Sequence, residues 1–176
     1  MKTKASISSA LGIIILAALT VPVCMGQKQA QIDTSKTAVI GPFETTQKGA
    51  IGLPEATRTA VIAYLKDDGM FPAVLTTEEA KDVEKESTIG IAATLSEFKA
   101  GNRATRVLVG LGSGRASATW DFTVTDGATG DVVWQRTIKE KASFWGNTDT
   151  SREQRGVLPE KVAKTLVKQL NKVTAK

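Results

Sequence analysis

GSGRASATWDFTVTDGATGDVVWQRTI, from Gly112 to Ile138, carries a strand, a turn and a second strand in succession. From Ala116 the residues alternate: Ala116, Ala118, Trp120, Phe122 and Val124 point one way, Ser117, Thr119, Asp121, Thr123 and Thr125 the other. A period of two belongs to a strand with one buried face and one wet face. The alternation breaks at Asp126-Gly127-Ala128-Thr129-Gly130, where glycine can take positive φ and an aspartate can bond the turning backbone, so a hairpin follows. On the return strand Val132, Trp134 and Ile138 share a phase. Arg136 shares it too, and either snorkels at an edge or marks a bulge.

The pattern Gly112-x-Gly114-Arg115-Ala116, then an alternating strand, then Asp126-x-x-Thr129-Gly130-x-Val132-x-Trp134, resembles an uncharacterised bacterial envelope family, domain-of-unknown-function family 4410. The likeness is close from Gly112 to Trp134 and looser over most of the remaining chain. It implies a fold and an envelope address, with no activity and no catalytic residues to carry across.

Outward from the hairpin, residues 1–26 read as a secretory signal peptide: Lys2 and Lys4 are a basic start, Ala10 to Val21 an apolar centre, and Cys24-Met25-Gly26 a small-residue cleavage site. The apolar run is shorter than the roughly 20 residues a membrane span needs. Cleavage near Gly26 gives a periplasmic or secreted chain with no transmembrane span. Acylation of Cys24 is the alternative, although Val23 before it is not the small residue such processing favours. Removing Lys2 and Lys4 from 23 basic residues leaves 21 against 18 acidic, a formal charge of +3. So mild a bias gives no reason to expect nucleic acid. With Cys24 removed, no thiol is left for a disulfide, and packing alone must hold the domain.

Residues 27–35 read as a flexible lead-in, and 36–176 as a single α+β domain. Lys36 to Glu44 suits a first buried strand, with Pro42 marking an end or an edge. A helix runs from Pro54 to about Lys66 and stops at a left-handed Gly69, and Phe71 to Leu75 supplies a second strand. Strand, helix, strand is a crossover, so these two strands are expected to be parallel. Thr76-Thr77-Glu78-Glu79 starts a short helix that ends before Ser87. Alternation returns from Thr88, placing Ile89, Ile91, Ala93 and Leu95 on one face of a third strand beside the hairpin. The last helix, Pro159 to about Val173, has one stripe of Leu158, Val162, Leu166, Leu170 and Val173 and another of Lys161, Lys164, Lys168 and Lys172. This order predicts a two-layer sandwich: a mixed or antiparallel sheet of about five strands with the two main helices on its apolar face. In fold it is similar to the amino-terminal domain of the Tol-system translocation protein B and the periplasmic domain of the curli secretion channel.

The chain contains no histidine, which removes Ser-His-Asp and Cys-His catalysis, and without a mature cysteine ordinary zinc sites go too. We therefore expect no enzyme, no catalytic residues, no metal and no cofactor. Acids near the sheet are Glu97, Asp121, Asp126, Asp131 and Glu140, of which Asp126 and Asp131 flank a turn where backbone bonding is their ordinary role. An acid pair doing hydrolysis is the least favoured function. Gly112 and Gly114 beside Arg115, with Arg103 and Arg106 nearby, form a candidate anion site. Glycine that lets the backbone kink at the head of a strand explains the same residues. Phe144 and Trp145, in the polar segment Lys141 to Val157, are candidate partner contacts or a satellite of the core. The lysine stripe and the threonine-rich strand face are solvated surfaces or docking surfaces. Two functions remain: a non-enzymatic binding or assembly domain for an envelope protein, and a small-molecule, glycan or anion binder.

Overall fold

Burial follows the alternation of the hairpin: in the computed structural model, Ala116, Ala118, Trp120, Phe122 and Val124 are all buried. The structure describes residues 31–101, 115–142 and 157–174. Its elements are β1 (Thr37–Thr45), α1 (Leu53–Asp68), β2 (Val74–Thr76), β3 (Thr88–Lys99), β4 (Ser117–Asp126), β5 (Val132–Lys141) and α2 (Leu158–Thr174). The strand order is β2-β1-β3-β4-β5. β1 is parallel to both β2 and β3, and β3, β4 and β5 form an antiparallel meander. Both helices lie on one face, giving the expected α+β sandwich.

Each helix carries the apolar stripe that places it there. In α2, Leu158, Val162, Leu166 and Leu170 are buried, with Ala163 and Val167 beside them. In α1 the buried line is Leu53, Thr57, Val61 and Leu65, and the Thr57 hydroxyl is satisfied by donating to the Leu53 carbonyl at 2.8 Å. Gly69 ends α1 at φ 70°, as expected of a left-handed cap. Under the helices Phe43 lies 5.7 Å from both Trp120 and Phe122, ring centre to ring centre. Those separations suit tilted and edge-on aromatic packing. Ile32, inside the segment read as a lead-in, belongs to the same core.

Several local expectations are corrected. β2 is shorter and later than Phe71 to Leu75, because Pro72 has no N–H to offer a ladder. Thr76 and Glu79 do form a reciprocal cap: the Thr76 N–H donates to Glu79 Oε2 at 2.7 Å and the Glu79 N–H to Thr76 Oγ1 at 3.3 Å. No α-helix follows, since residues 77–87 bury no side chain and nothing rewards propagation; only turns and a 3₁₀ turn at Lys85–Ser87 form. Pro42 sits inside β1 rather than at its end. The register with β3 shifts between Ile40 and Phe43, and β2 has already stopped at its pair with Ile40. In β5 the irregularity falls at Val133, where Val124 pairs with Trp134 but Thr125 with Val132. That shift turns Val132 outward to 46% exposure and leaves Arg136 exposed in the Trp134 phase, on a strand with no outer neighbour among the described residues.

Candidate functional site

A strand turns every second side chain away from the helices, and no described element covers that second layer. On β3 it presents Gly90, Ala92 and Thr94, on β4 Thr119, Asp121, Thr123 and Thr125, and on β5 Gln135, Thr137 and Lys139. Gly41 on β1 adjoins Ala92: a Cβ built there would lie 3.6 Å from the alanine Cβ. Small residues thus make a trough along the middle of the sheet. Register sets the charges beside it: Glu44 pairs with Thr94, Thr94 with Asp121 and Asp121 with Thr137, one row across four strands. A shallow hollow of about 190 Å³ lies between the two acids, lined by Pro42, Ala92, Thr94 and Thr123. Asp121 Oδ1 accepts from the Thr137 hydroxyl. Among the described residues neither Glu44 nor Asp121 has an ion-pair partner.

The end of this face is electrostatically closed. A register shift between Leu95 and Glu97 brings Glu97 opposite Thr119, and Lys99 and Lys139 each approach it at 3.0 Å. Hydrogen bonds from Lys99 and then Lys139 hold the Glu97 carboxyl down at about 2. A carboxylate so fixed as an anion cannot act as a proton donor near neutrality.

Arg58 serves the opposite edge, and sequence reasoning missed it. The shift around Gly41-Pro42 frees two β1 carbonyls; Arg58 Nε donates to Gly41 O at 3.1 Å and Nη2 to Ile40 O at 3.2 Å, while Nη2 also reaches Glu78 at 3.2 Å. The signal available in sequence was a long cation one turn into a helix that follows a proline-broken strand. On the outer side of the helix layer lies a larger groove, about 580 Å³, floored by Tyr64 and Val167 and walled by Asp67 and Asp68 against Lys164, Lys168 and Lys172. Asn171 bridges it by donating to Asp68 Oδ1 at 3.1 Å.

Of the residues expected to hold an anion, Arg103, Arg106, Gly112 and Gly114 lie outside the described residues, as do Phe144 and Trp145 of the expected partner contact. Arg115 is half-buried just before β4. Asp126 has the backbone role expected of it: its Oδ1 accepts from Ala128 N–H at 2.9 Å and Thr129 N–H at 3.3 Å, while Oδ2 meets Lys36 Nζ at 2.6 Å. Lys36 first, then the turn amides, lower its pKa. Asp131 lies in the same turn, its N–H donating to Thr129 Oγ1 at 3.1 Å. Glu140 accepts from Thr165 at 2.7 Å and ties β5 to α2. No group of three or more metal-ligating side chains occurs among the described residues.

Comparison with known proteins returns a family match over residues 28–154, to the family described as Domain of unknown function (DUF4410). No curated protein matches in sequence. Among solved structures, the PelC dodecamer from Paraburkholderia phytofirmans aligns with a TM-score of 0.53 at 14% identity, covering 76% of this chain and 90% of that one. The hypothetical protein CT253 from Chlamydia trachomatis aligns with a TM-score of 0.54 at 11% identity, covering 81% and 99%. Protein XCC0632 from Xanthomonas campestris aligns with a TM-score of 0.52 at 14% identity, covering 82% and 85%. At such identities the likeness is one of fold. The expected likeness to the Tol-system and curli domains is not shown by these structures.

Proposed function

The chain belongs to this family of domains of unknown function, and from that premise we propose that it is an exported, non-enzymatic envelope domain that docks a protein partner on its open sheet face. One observation carries the reading: a sheet face uncovered by any described element combines a small-residue trough with two acids in register that have no ion-pair partner among the described residues. A face evolved only to be wet has no need of glycine and alanine at its centre, where they weaken a strand. The acids Glu97, Asp126 and Glu140, by contrast, are each occupied in holding the fold. The basic and apolar start of the chain supports export, and no helix among the described residues is long and apolar enough to cross a membrane. PelC, which has this fold, is described as a dodecamer, so the fold is compatible with close contact between folded surfaces.

The test is a photo-crosslinking amino acid placed at Ala92 or Thr123 in cells, with Glu84 in the exposed turn as control. Discrete protein adducts from the two sheet positions and none from Glu84 are expected. Equal labelling from all three, or none from the sheet positions, would refute the docking role.

A further inference from the structure

The partner of that face can be given a chemistry, and this step rests on the docking reading above. We propose that the open sheet face receives the lysine ridge of α2 from a second copy of the chain, joining copies head to tail.

The two surfaces are charge complements on opposite sides of one molecule. On the sheet side Glu44 and Asp121 stand two strands apart, about 9–10 Å, across a floor that holds no side chain larger than threonine or proline. On the helix side Lys164, Lys168 and Lys172 are exposed and, among the described residues, make no ion pair. Successive members of that row rise about 6 Å along the helix and its ends about 12 Å, so flexible ammonium stems meet two acids at the sheet spacing. The flanks repeat the match with signs exchanged. Asp67 and Asp68 line the lysine row across the outer groove, while Lys139 and Lys99, both engaged with Glu97, leave a single excess positive charge beside the acid row. A helix ridge fits the shallow trough because Gly41 and Ala92 let its backbone approach.

Because the contacting surfaces differ, the contact is heterologous and closes into a ring or runs on as a filament, in contrast to a two-fold dimer.

The experiment is sedimentation velocity on the full chain purified from expressing cells. Species larger than a dimer are expected to grow with concentration and to shrink in salt of about 1 M, where the screening length falls to about 3 Å. The sheet variant Glu44→Lys/Asp121→Lys and the helix variant Lys164→Glu/Lys168→Glu should each associate at least about tenfold more weakly. Mixed one to one they again present opposite charges at every junction, and assembly should return. If Asp121→Lys disturbs folding, as judged by circular dichroism, Glu44→Lys alone makes the same pair with the helix variant. A wild type that stays monomeric at every concentration overturns the proposal, as does a mixture of folded variants that fails to reassemble. A monomeric chain whose Ala92 crosslinker still captures a different polypeptide overturns only the second copy and leaves the docking face intact. A silent Ala92 overturns both.

Discussion

Replacing Gly127 by alanine tests how closely the β4–β5 turn is held against the start of β3. Gly127 is not among the positive-φ glycines, so its need for glycine is one of space. Its N–H donates to the Thr88 carbonyl at 3.0 Å, and a methyl group there would run into Thr88 Oγ1 and the Lys85 carbonyl oxygen and lie 2.8 Å from Thr88 O. Two of those three obstacles are backbone. The third cannot swing away freely, because Thr88 Oγ1 donates to Lys85 O at 2.8 Å. Overpacking of a tight site costs about 1–3 kcal/mol. The turn must also stretch its bond to Thr88, worth about 1 kcal/mol, so the expected loss is about 3 kcal/mol.

Gly90 is the internal control. Its added Cβ would lie 2.7 Å from Thr125 Oγ1, the tip of a side chain that can rotate, with the nearest backbone atom at 4.0 Å. Gly90→Ala should therefore cost less than about 1 kcal/mol. Urea unfolding reads both. With a slope of about 2 kcal/mol/M, Gly127→Ala lowers the midpoint by about 1.5 M and Gly90→Ala by less than about 0.5 M. Equal losses in the two variants, or a Gly127→Ala midpoint equal to the wild type, would refute the distinction between rigid and yielding neighbours.

Arg58→Ala removes the guanidinium bonds to Gly41 O and Ile40 O, leaving Ile40 O with the Thr77 hydroxyl at 3.3 Å, and should cost about 1–3 kcal/mol; Arg58→Lys should fail to restore it, because an ammonium lacks the fork that reaches both oxygens, and thermal unfolding compares the two. Leu166→Ala opens a cavity beneath α2 where the side chain is fully buried and should cost about 2–5 kcal/mol, read by the same melts. Glu97 has a folded pKa of about 2 against an ordinary 4.5, so it stabilises the fold above pH 4.5 and loses that contribution as the pH falls toward 2. Glu97→Gln should accordingly flatten the acid limb of stability against pH while leaving its shape above pH 6 unchanged, and an unaltered acid limb would remove Glu97 from the account.

What was legible in the sequence was whatever repeats along one element. The β4 alternation and the α2 stripe each hold one period for several turns or pleats, so burial of Trp120, Phe122, Leu166 and Leu170 needs no partner to be inferred. Features created between elements were not legible. Val132 has the right phase for the core and is exposed only because β5 slips against β4 at Val133. Arg58 matters because a shift seventeen residues earlier, at Gly41, frees carbonyls that no periodicity marks. The Thr76–Glu79 cap was readable, yet the helix it announced does not form, since capping satisfies an end and packing supplies the length.

The candidate face belongs to the second kind. Glu44 and Asp121 are 77 positions apart, numbered as they are, and become neighbours across Thr94 only once β3 lies between β1 and β4. That order follows from joining a parallel crossover to an antiparallel meander through one shared strand, β3. Since β3 is central, its outward residues lie farthest from either edge, and there the chain places Gly90, Ala92 and Thr94, whereas the edge strand β5 presents the larger polar Gln135, Thr137 and Lys139. A strand buried on both faces would carry bulky apolar residues, and one meant for water alone would carry chains as on β5. Small residues at the centre, with acids on either side, fit a surface that no described element of the chain covers and that a basic helix could lie across.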